Sequence, residues 1–279
     1  MLGAIAGDII GSLYENLRTK RKDFRLFTPV STFTDDTVLT VAVADALLTD
    51  NDYGSKIRAY ARRYPLRGYG PKFMLWMVST SPRPYNSLGN GSAMRVSPVA
   101  HAFKSAEEVI EHAKRSAECT HNHPEGIKGA QATALAIFMA RSRASKDEIR
   151  SEISSRYGYD LSRSLDDIRP AYRLNLTCPG SVPEAIIAFL DSVNFEDAIR
   201  NAVSLGGDAD TQAAIAGAIA ESFYGEIPVE ILNGVAKRLN RRFKQIIVEF
   251  YRRFGTKEMI EQSASLIRET RSEPRAEEP

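Results

Sequence analysis

Apolar positions along the 279-residue chain recur mainly at spacings of three and four, the period of a helix with one buried face. The pattern predicts helices over about 3–16, 36–49, 53–63, 71–79, 92–103, 106–118, 125–143, 146–155, 181–190, 195–204, 210–224, 228–239, 240–253 and 256–269. Strand signals are sparse. The best lies over 24–33, where Pro29 interrupts it, and it predicts at most a short hairpin. Asn90-Gly91 has the composition of a hairpin turn but lacks alternating apolar flanks, so it reads as a loop ahead of a helix. The expected fold class is all-α.

Two of these segments carry small residues at helical spacing. Gly3, Gly7 and Gly11 recur every four residues and share one helix face. Glycine costs helix stability, so such a stripe favours close approach of another backbone. Glu15 is the next member of the series and projects from the same side, one turn further on. In 210–224, Ala213, Gly217 and Glu221 form a similar stripe. Both patterns fit helices packed in an interior.

Bulk composition narrows the classes. With 43% hydrophobic and 26% charged residues the chain reads as globular, long enough for one large core or two small ones. A net charge of +2 argues against an obligate nucleic-acid binder. The local basic runs Lys20-Arg21-Lys22, Arg62-Arg63, Arg241-Arg242 and Arg252-Arg253 read as solvated faces. The two cysteines, Cys119 and Cys178, build no disulfide framework and suit a reducing compartment. The apolar start MLGAIAGDIIGSLYE lacks the basic region of a signal peptide, and no stretch has the length of a membrane span, so a cytoplasmic location is expected. Residues 1–263 are expected to form one domain, and 264–279, ending in SEPRAEEP, a polar and partly disordered tail.

Two acidic clusters carry the chemistry. Thr34-Asp35-Asp36-Thr37 precedes the apolar run VLTVAVADALL, and Asp208-Ala209-Asp210-Thr211 precedes AAIAGAIA. Either alone is explained as a helix cap. Together they hold more negative charge than caps require. Four carboxylates brought together would repel unless cations sat among them. All-oxygen ligands favour Mg²⁺, Mn²⁺ or Ca²⁺ over zinc. Spacing alone does not fix whether the two clusters meet.

Glycine-rich loops supply a second candidate feature. Gly89-Asn90-Gly91-Ser92-Ala93-Met94-Arg95 opens a predicted helix, a setting that suits a phosphate, with Arg95 adding charge or support. In Arg67-Gly68-Tyr69-Gly70 the glycines allow close approach and Tyr69 has a ring that can stack on a base or sugar. Cys119-Thr120-His121-Asn122-His123 offers zinc-type ligands but no clear fourth partner. A pocket histidine that bonds to substrate, or a helix-capping His121 or Asn122, accounts better for it. His101 and His112 sit in helical patterns as packing or surface residues. Nothing resembles a nucleophile elbow.

The ordered set GDIIGSLYE, TDDT, RGYG, GNGSAMR, CTH and SLGGDADT resembles the ADP-ribosylglycohydrolase family, also called the dinitrogenase reductase-activating glycohydrolase family, from about residue 2 to 254. The resemblance implies a compact, orthogonal multi-helix domain with two Mg²⁺ or Mn²⁺ ions at the base of a cleft, usually working as a monomer. It implies Thr34, Asp35, Asp36, Asp208, Asp210 and Thr211 as metal ligands. It implies Glu15 as an acidic residue that gates the site and touches a metal. Gly68, Tyr69, Gly70, Asn90, Gly91, Ser92, Ala93, Met94 and His121 would contact ADP-ribose. The expected reaction is hydrolysis of the glycosidic bond between ADP-ribose and an acceptor. Nucleic acid would enter only as an ADP-ribosylated substrate.

Such cleavage needs an activated water and help for the leaving group. Two metals can orient the ribose and activate water, and a carboxylate such as Glu15 or Asp35 can move the proton. Which of the two does so is open. The rival functions are a non-catalytic ADP-ribose binder or structural relative, and a two-metal phosphoesterase acting on the pyrophosphate. Glu15 within GSLYE brings the match closer to the serine-directed branch of the family than to the arginine-directed one.

Overall fold

The helical period of the sequence is realised along the described chain, residues 1–268 of a computed structural model. The first helices are α1 (Leu2–Gly11), α2 (Tyr14–Leu17), α3 (Asp35–Leu48), α4 (Tyr53–Arg63), α5 (Pro71–Val78) and α6 (Gly91–Met94). Next come α7 (Val99–Ala102), α8 (Ala106–Glu118), α9 (Pro124–Arg141), α10 (Lys146–Tyr157), α11 (Leu165–Ile168) and α12 (Cys178–Leu190). The last are α13 (Phe195–Val203), α14 (Ala209–Tyr224), α15 (Val229–Ala236), α16 (Arg241–Phe254) and α17 (Lys257–Arg268). None of the described helices is long and apolar enough to cross a membrane.

Several ends follow local rules. Ser105 with Glu108 and Ser145 with Glu148 form reciprocal capping boxes at α8 and α10. Three expectations need correction. The helix expected over 3–16 breaks at Ser12-Leu13, where the Ser12 hydroxyl donates to the Ile9 carbonyl at 2.9 Å, and Glu15 therefore sits on the separate helix α2. The helix expected over 92–103 divides into α6 and α7, because Pro98 has no N–H to continue the ladder. Residues 24–33 form no strand, and Phe24, Leu26 and Phe27 instead pack on the core from an irregular segment. Helix α17 runs to Arg268 with Leu266 buried. The rest of the expected tail lies outside the described residues.

The centre is an antiparallel pair, α1 against α14. Every residue of α1 is buried, as is α14 from Ala209 to Ser222, which explains sequences apolar on all sides. The two small-residue stripes face each other: Gly3 meets Gly217, Gly7 meets Ala213, and Gly11 meets Ala209 and Asp210. A side-chain carbon at any of the three glycines would overlap the opposing backbone. Beyond the seam, Glu221 accepts from the Gly3 amide and the Met1 amino group at 2.8 and 2.6 Å, and from the Tyr251 hydroxyl. Helices α3, α9, α12 and α13 surround this pair. The register places the start of α14, with its acidic residues, beside the end of α1 and hence beside α2.

Candidate active site

The N-termini of α3 and α14 open into one cavity of about 340 Å³, within the size range of small-ligand sites. Glu15, Thr34, Asp35, Asp36, Asp208, Asp210 and Thr211 all line it. The two acidic clusters, some 170 residues apart in sequence, therefore do meet. Glu15, Asp208 and Asp210 each offer a carboxylate oxygen, all within 4.8 Å of one another. Thr211 Oγ1 donates to Asp36 Oδ2 at 3.4 Å and so bridges the clusters. Asn90 Nδ2 holds Asp208 Oδ2 at 2.6 Å.

The carboxylates in this cavity crowd one another, although Arg67, Lys72 and Arg95 also line it. Burial, reinforced by the Asp210 carboxylate, raises the carboxyls of Asp35, Asp36 and Asp208 well above the ordinary range. The Asp210 charge, then burial, raises that of Glu15. Asp36 Oδ1 is buried without a hydrogen-bond partner. Oxygen donors packed this closely, one of them unsatisfied, fit a hard divalent cation, which would offset their mutual repulsion. Among the described residues, Glu15, Asp208 and Asp210 form the one group of three metal-ligating side chains brought this close. Cys119, His121 and His123 do not join such a group. His123 caps α9 by accepting the Glu125 amide at 3.1 Å, and Asn122 Oδ1 accepts the Asn86 amide at 2.7 Å.

The family model described as ADP-ribosylglycohydrolase matches residues 1–260. The chain belongs to the ADP-ribosylglycohydrolase family. Similar proteins include ADP-ribosylhydrolase ARH3 of Gallus gallus, 26% identical over an alignment of 309 positions, with 81% of this chain and 84% of that protein covered. ARH3 of Homo sapiens is 26% identical over 305 residues, with the same coverage of 81% and 84%. ADP-ribosylarginine hydrolase Tri1 of Pseudomonas putida strain GB-1 is 26% identical over an alignment of 267 positions, with 81% of this chain and 69% of that protein covered. A solved structure described as an ADP-ribosylglycohydrolase-related protein complex superposes with a TM-score of 0.68 at 25% identity, covering 96% of both chains. The protein is thus an all-α enzyme of the ADP-ribosylhydrolase class.

On the ADP-ribosylglycohydrolase scaffold, Gly68, Gly70, Asn90, Gly91, Met94 and His121 line the same cavity as the acidic residues. Tyr69, Ser92 and Ala93 are not among the lining residues. The Tyr69 ring is buried and stacks on Phe73 with centroids 5.1 Å apart. Ser92 Oγ donates to the Gly126 carbonyl at 2.7 Å, and Ala93 is buried. These three side chains hold the loops that form the wall. Arg95, fully buried, donates through Nη2 to the Ser116 carbonyl and to Thr120 Oγ1, both at 2.8 Å.

Sequence reasoning missed two supporting residues. Asp8, on α1, accepts from the amides of Thr34 and Thr37 at 3.0 Å each, and from their hydroxyls at 2.7 and 2.5 Å. It caps α3 from outside the helix. Burial and the charge of Asp210 raise its carboxyl to about 7. Because Thr34 gives its hydroxyl hydrogen to Asp8, it keeps oxygen lone pairs for other partners. Lys20 does not share the solvated character of its basic run. Its ammonium donates to the carbonyls of Arg169 at 2.9 Å, Tyr172 at 2.8 Å, and Leu205. It thereby ties the segment after α2 to the loop entering Asp208. Gly206, at φ 64°, makes the turn there, and a side chain would meet the Arg18 carbonyl. A lone Asp inside an apolar helix and a Lys in a basic run give no distinguishing signal in one sequence.

Proposed function

We propose that this enzyme hydrolyses the glycosidic bond between ADP-ribose and an acceptor, releasing ADP-ribose, with two Mg²⁺ or Mn²⁺ ions. The observation that carries this reading is the shared cavity. One wall is the convergent acidic cluster and another is the Asn90–Met94 turn with His121, in a chain of a family whose named members are ADP-ribosylhydrolases. Thr34, Asp35, Asp36, Asp208, Asp210 and Thr211 would hold the ions, with Glu15 touching one of them. When bound, such ions supply Lewis acidity that orients ribose hydroxyls and activates water.

The chain's own groups do the rest. Water adds across the bond between the anomeric carbon and the acceptor; its oxygen stays on the ribose and a proton ends on the acceptor. Glu15, whose carboxyl is raised by Asp210 and burial, can move that proton, and Asp35 is the second carboxylate placed to do so. Asn90 fixes Asp208, and Asp8 fixes Thr34 and the start of α3. The Gly89–Gly91 backbone leaves room for a ligand beside His121.

Product analysis tests the reading. Free ADP-ribose, lost on chelation and restored by Mg²⁺ or Mn²⁺, supports it. AMP would instead mean pyrophosphate cleavage, and ADP-ribose binding with no product would mean a binding protein. Parallel incubation with serine-, arginine- and nucleic-acid-linked ADP-ribose identifies the acceptor. Glu15 in the GSLYE segment leads us to expect faster release from serine; faster release from arginine would overturn that assignment.

A further inference from the structure

A neutral imidazole has two tautomers, and the hydrogen bond at one nitrogen decides what the other can offer. His121 sits at the end of a short polar chain. Arg95 Nη2 donates to Thr120 Oγ1 at 2.8 Å, and Thr120 Oγ1 lies 2.7 Å from His121 Nδ1. A guanidinium can only donate, so it occupies an acceptor position of the hydroxyl. The hydroxyl has one hydrogen to place. The other neighbour of its oxygen is Cys119 Sγ, 4.0 Å away and a weak acceptor. Giving that hydrogen to Nδ1 pairs Arg95 Nη2, the Thr120 hydroxyl and Nδ1 in one donor-to-acceptor order. A hydrogen on Nδ1 would instead leave the hydroxyl hydrogen facing only the distant sulfur. Burial, with the Arg95 charge adding to it, disfavours the doubly protonated ring.

The far edge of the ring faces the glycine turn of the cavity. A side-chain carbon built on Gly91 would lie 3.1 Å from His121 Nε2 and 3.2 Å from Cε1. We infer that Arg95 and Thr120 are positioning residues that lock His121 as the Nε2–H tautomer, so that the ring presents a hydrogen-bond donor to the ligand. Its recognition is then selective for an oxygen acceptor, and a donor group placed there would be repelled. The ligand half of this inference rests on the ADP-ribose reading above; the tautomer does not.

Long-range ¹H–¹⁵N correlation spectra of the full chain, labelled at its four histidines, read the tautomer directly, with His121→Asn assigning the signal. The ligand-free wild type is expected to show a protonated Nε2 and a bare Nδ1. Thr120→Val removes the hydroxyl at similar volume and is expected to give mixed tautomers, whereas Thr120→Ser restores the wild-type pattern. Calorimetric titration with ADP-ribose is expected to weaken by up to ~10-fold for the Val variant, the scale of one hydrogen bond, with Mg²⁺ affinity unchanged. The Ser variant should match the wild type. A wild-type ring protonated at Nδ1, or a Val variant that keeps the full Nε2–H pattern, overturns the inference. If the Val variant does not fold, the wild-type and Ser spectra still decide it. Absence of ADP-ribose binding by the wild type would sink the proposed substrate and leave the tautomer to its own ligand-free test.

Discussion

At the scale of single residues, the cavity separates groups that hold charge from groups that hold position. Asp35 and Asp210 belong to the first kind. Replacing either with Ala is expected to abolish turnover and weaken metal binding, read by ADP-ribose release beside a Mg²⁺ titration. A capping role alone would cost only about 1 kcal/mol of stability and leave the folded fraction active. Full activity in either folded variant removes the metal assignment. Glu15→Gln keeps the shape of α2, so ADP-ribose should still bind. Hydrolysis should slow by about a hundredfold, the scale of a lost acid–base group, and normal turnover would place the proton transfer elsewhere. Lys20 is of the second kind. Its ammonium holds three carbonyls, two of them in the segment before α12 and one next to Gly206. Lys20→Met is expected to lower stability by about 1.5–3 kcal/mol, the scale of hydrogen bonds to a charged group. It should also weaken Mg²⁺ binding, because the entry to Asp208 loses its anchor. Unchanged metal affinity in that variant would reduce Lys20 to a purely structural tie.

Among elements, the seam between α1 and α14 sets where the acidic groups lie. Helix propensity alone predicts that Gly7→Ala stabilises α1 by roughly 1 kcal/mol. The structure predicts the opposite, since the new methyl would overlap the Ala213 backbone, which cannot swing aside as a side chain could. Overpacking of this kind costs about 1–3 kcal/mol or more, so we expect a lower unfolding temperature together with weaker Mg²⁺ binding as Asp210 moves away from Glu15. A more stable variant would contradict the close contact. The stripe itself was legible in the sequence, because glycines repeated every fourth residue weaken a helix unless another backbone packs against that face. So were both acidic clusters and most helix positions, where apolar period and cap residues agree. What escaped depended on tertiary contact. The break at Ser12 is a side-chain bond to Ile9, the stacking of Tyr69 on Phe73 needs α5 in place, and the capping of α3 by Asp8 joins residues 26 and 29 positions apart. Periodicity reports the face of an element and not what that face meets.

For the whole molecule, the buried carboxyls couple stability to pH. Asp8, Asp35, Asp36, Asp208 and Glu15 all have raised values, so without metal these five groups bind more protons in the folded chain than in the unfolded one, while His101, His112 and His121, lowered by burial, act in the opposite sense. The favourable contribution of the carboxyls is complete below the ordinary carboxylate range and is lost as pH rises through the folded values, which for Asp8 is about 7. Chelator-treated protein should therefore show an unfolding temperature that falls from about pH 4 to about pH 7, and saturating Mg²⁺ should flatten that fall. Scanning calorimetry across this range checks both, and a metal-free protein that gains stability over the same interval would show that the carboxyls do not dominate the balance against the buried histidines. The α1–α14 pairing also has a bearing on biosynthesis. Helix α1 leaves the ribosome long before its partner, and its glycine face stays open until some two hundred further residues have been translated. A nascent chain stalled before Asp208 would carry Asp35 and Asp36 yet have no floor to its cavity. Released at that length, it should neither retain Mg²⁺ nor bind ADP-ribose, and it would be a ready client for chaperones that recognise exposed hydrophobic helices.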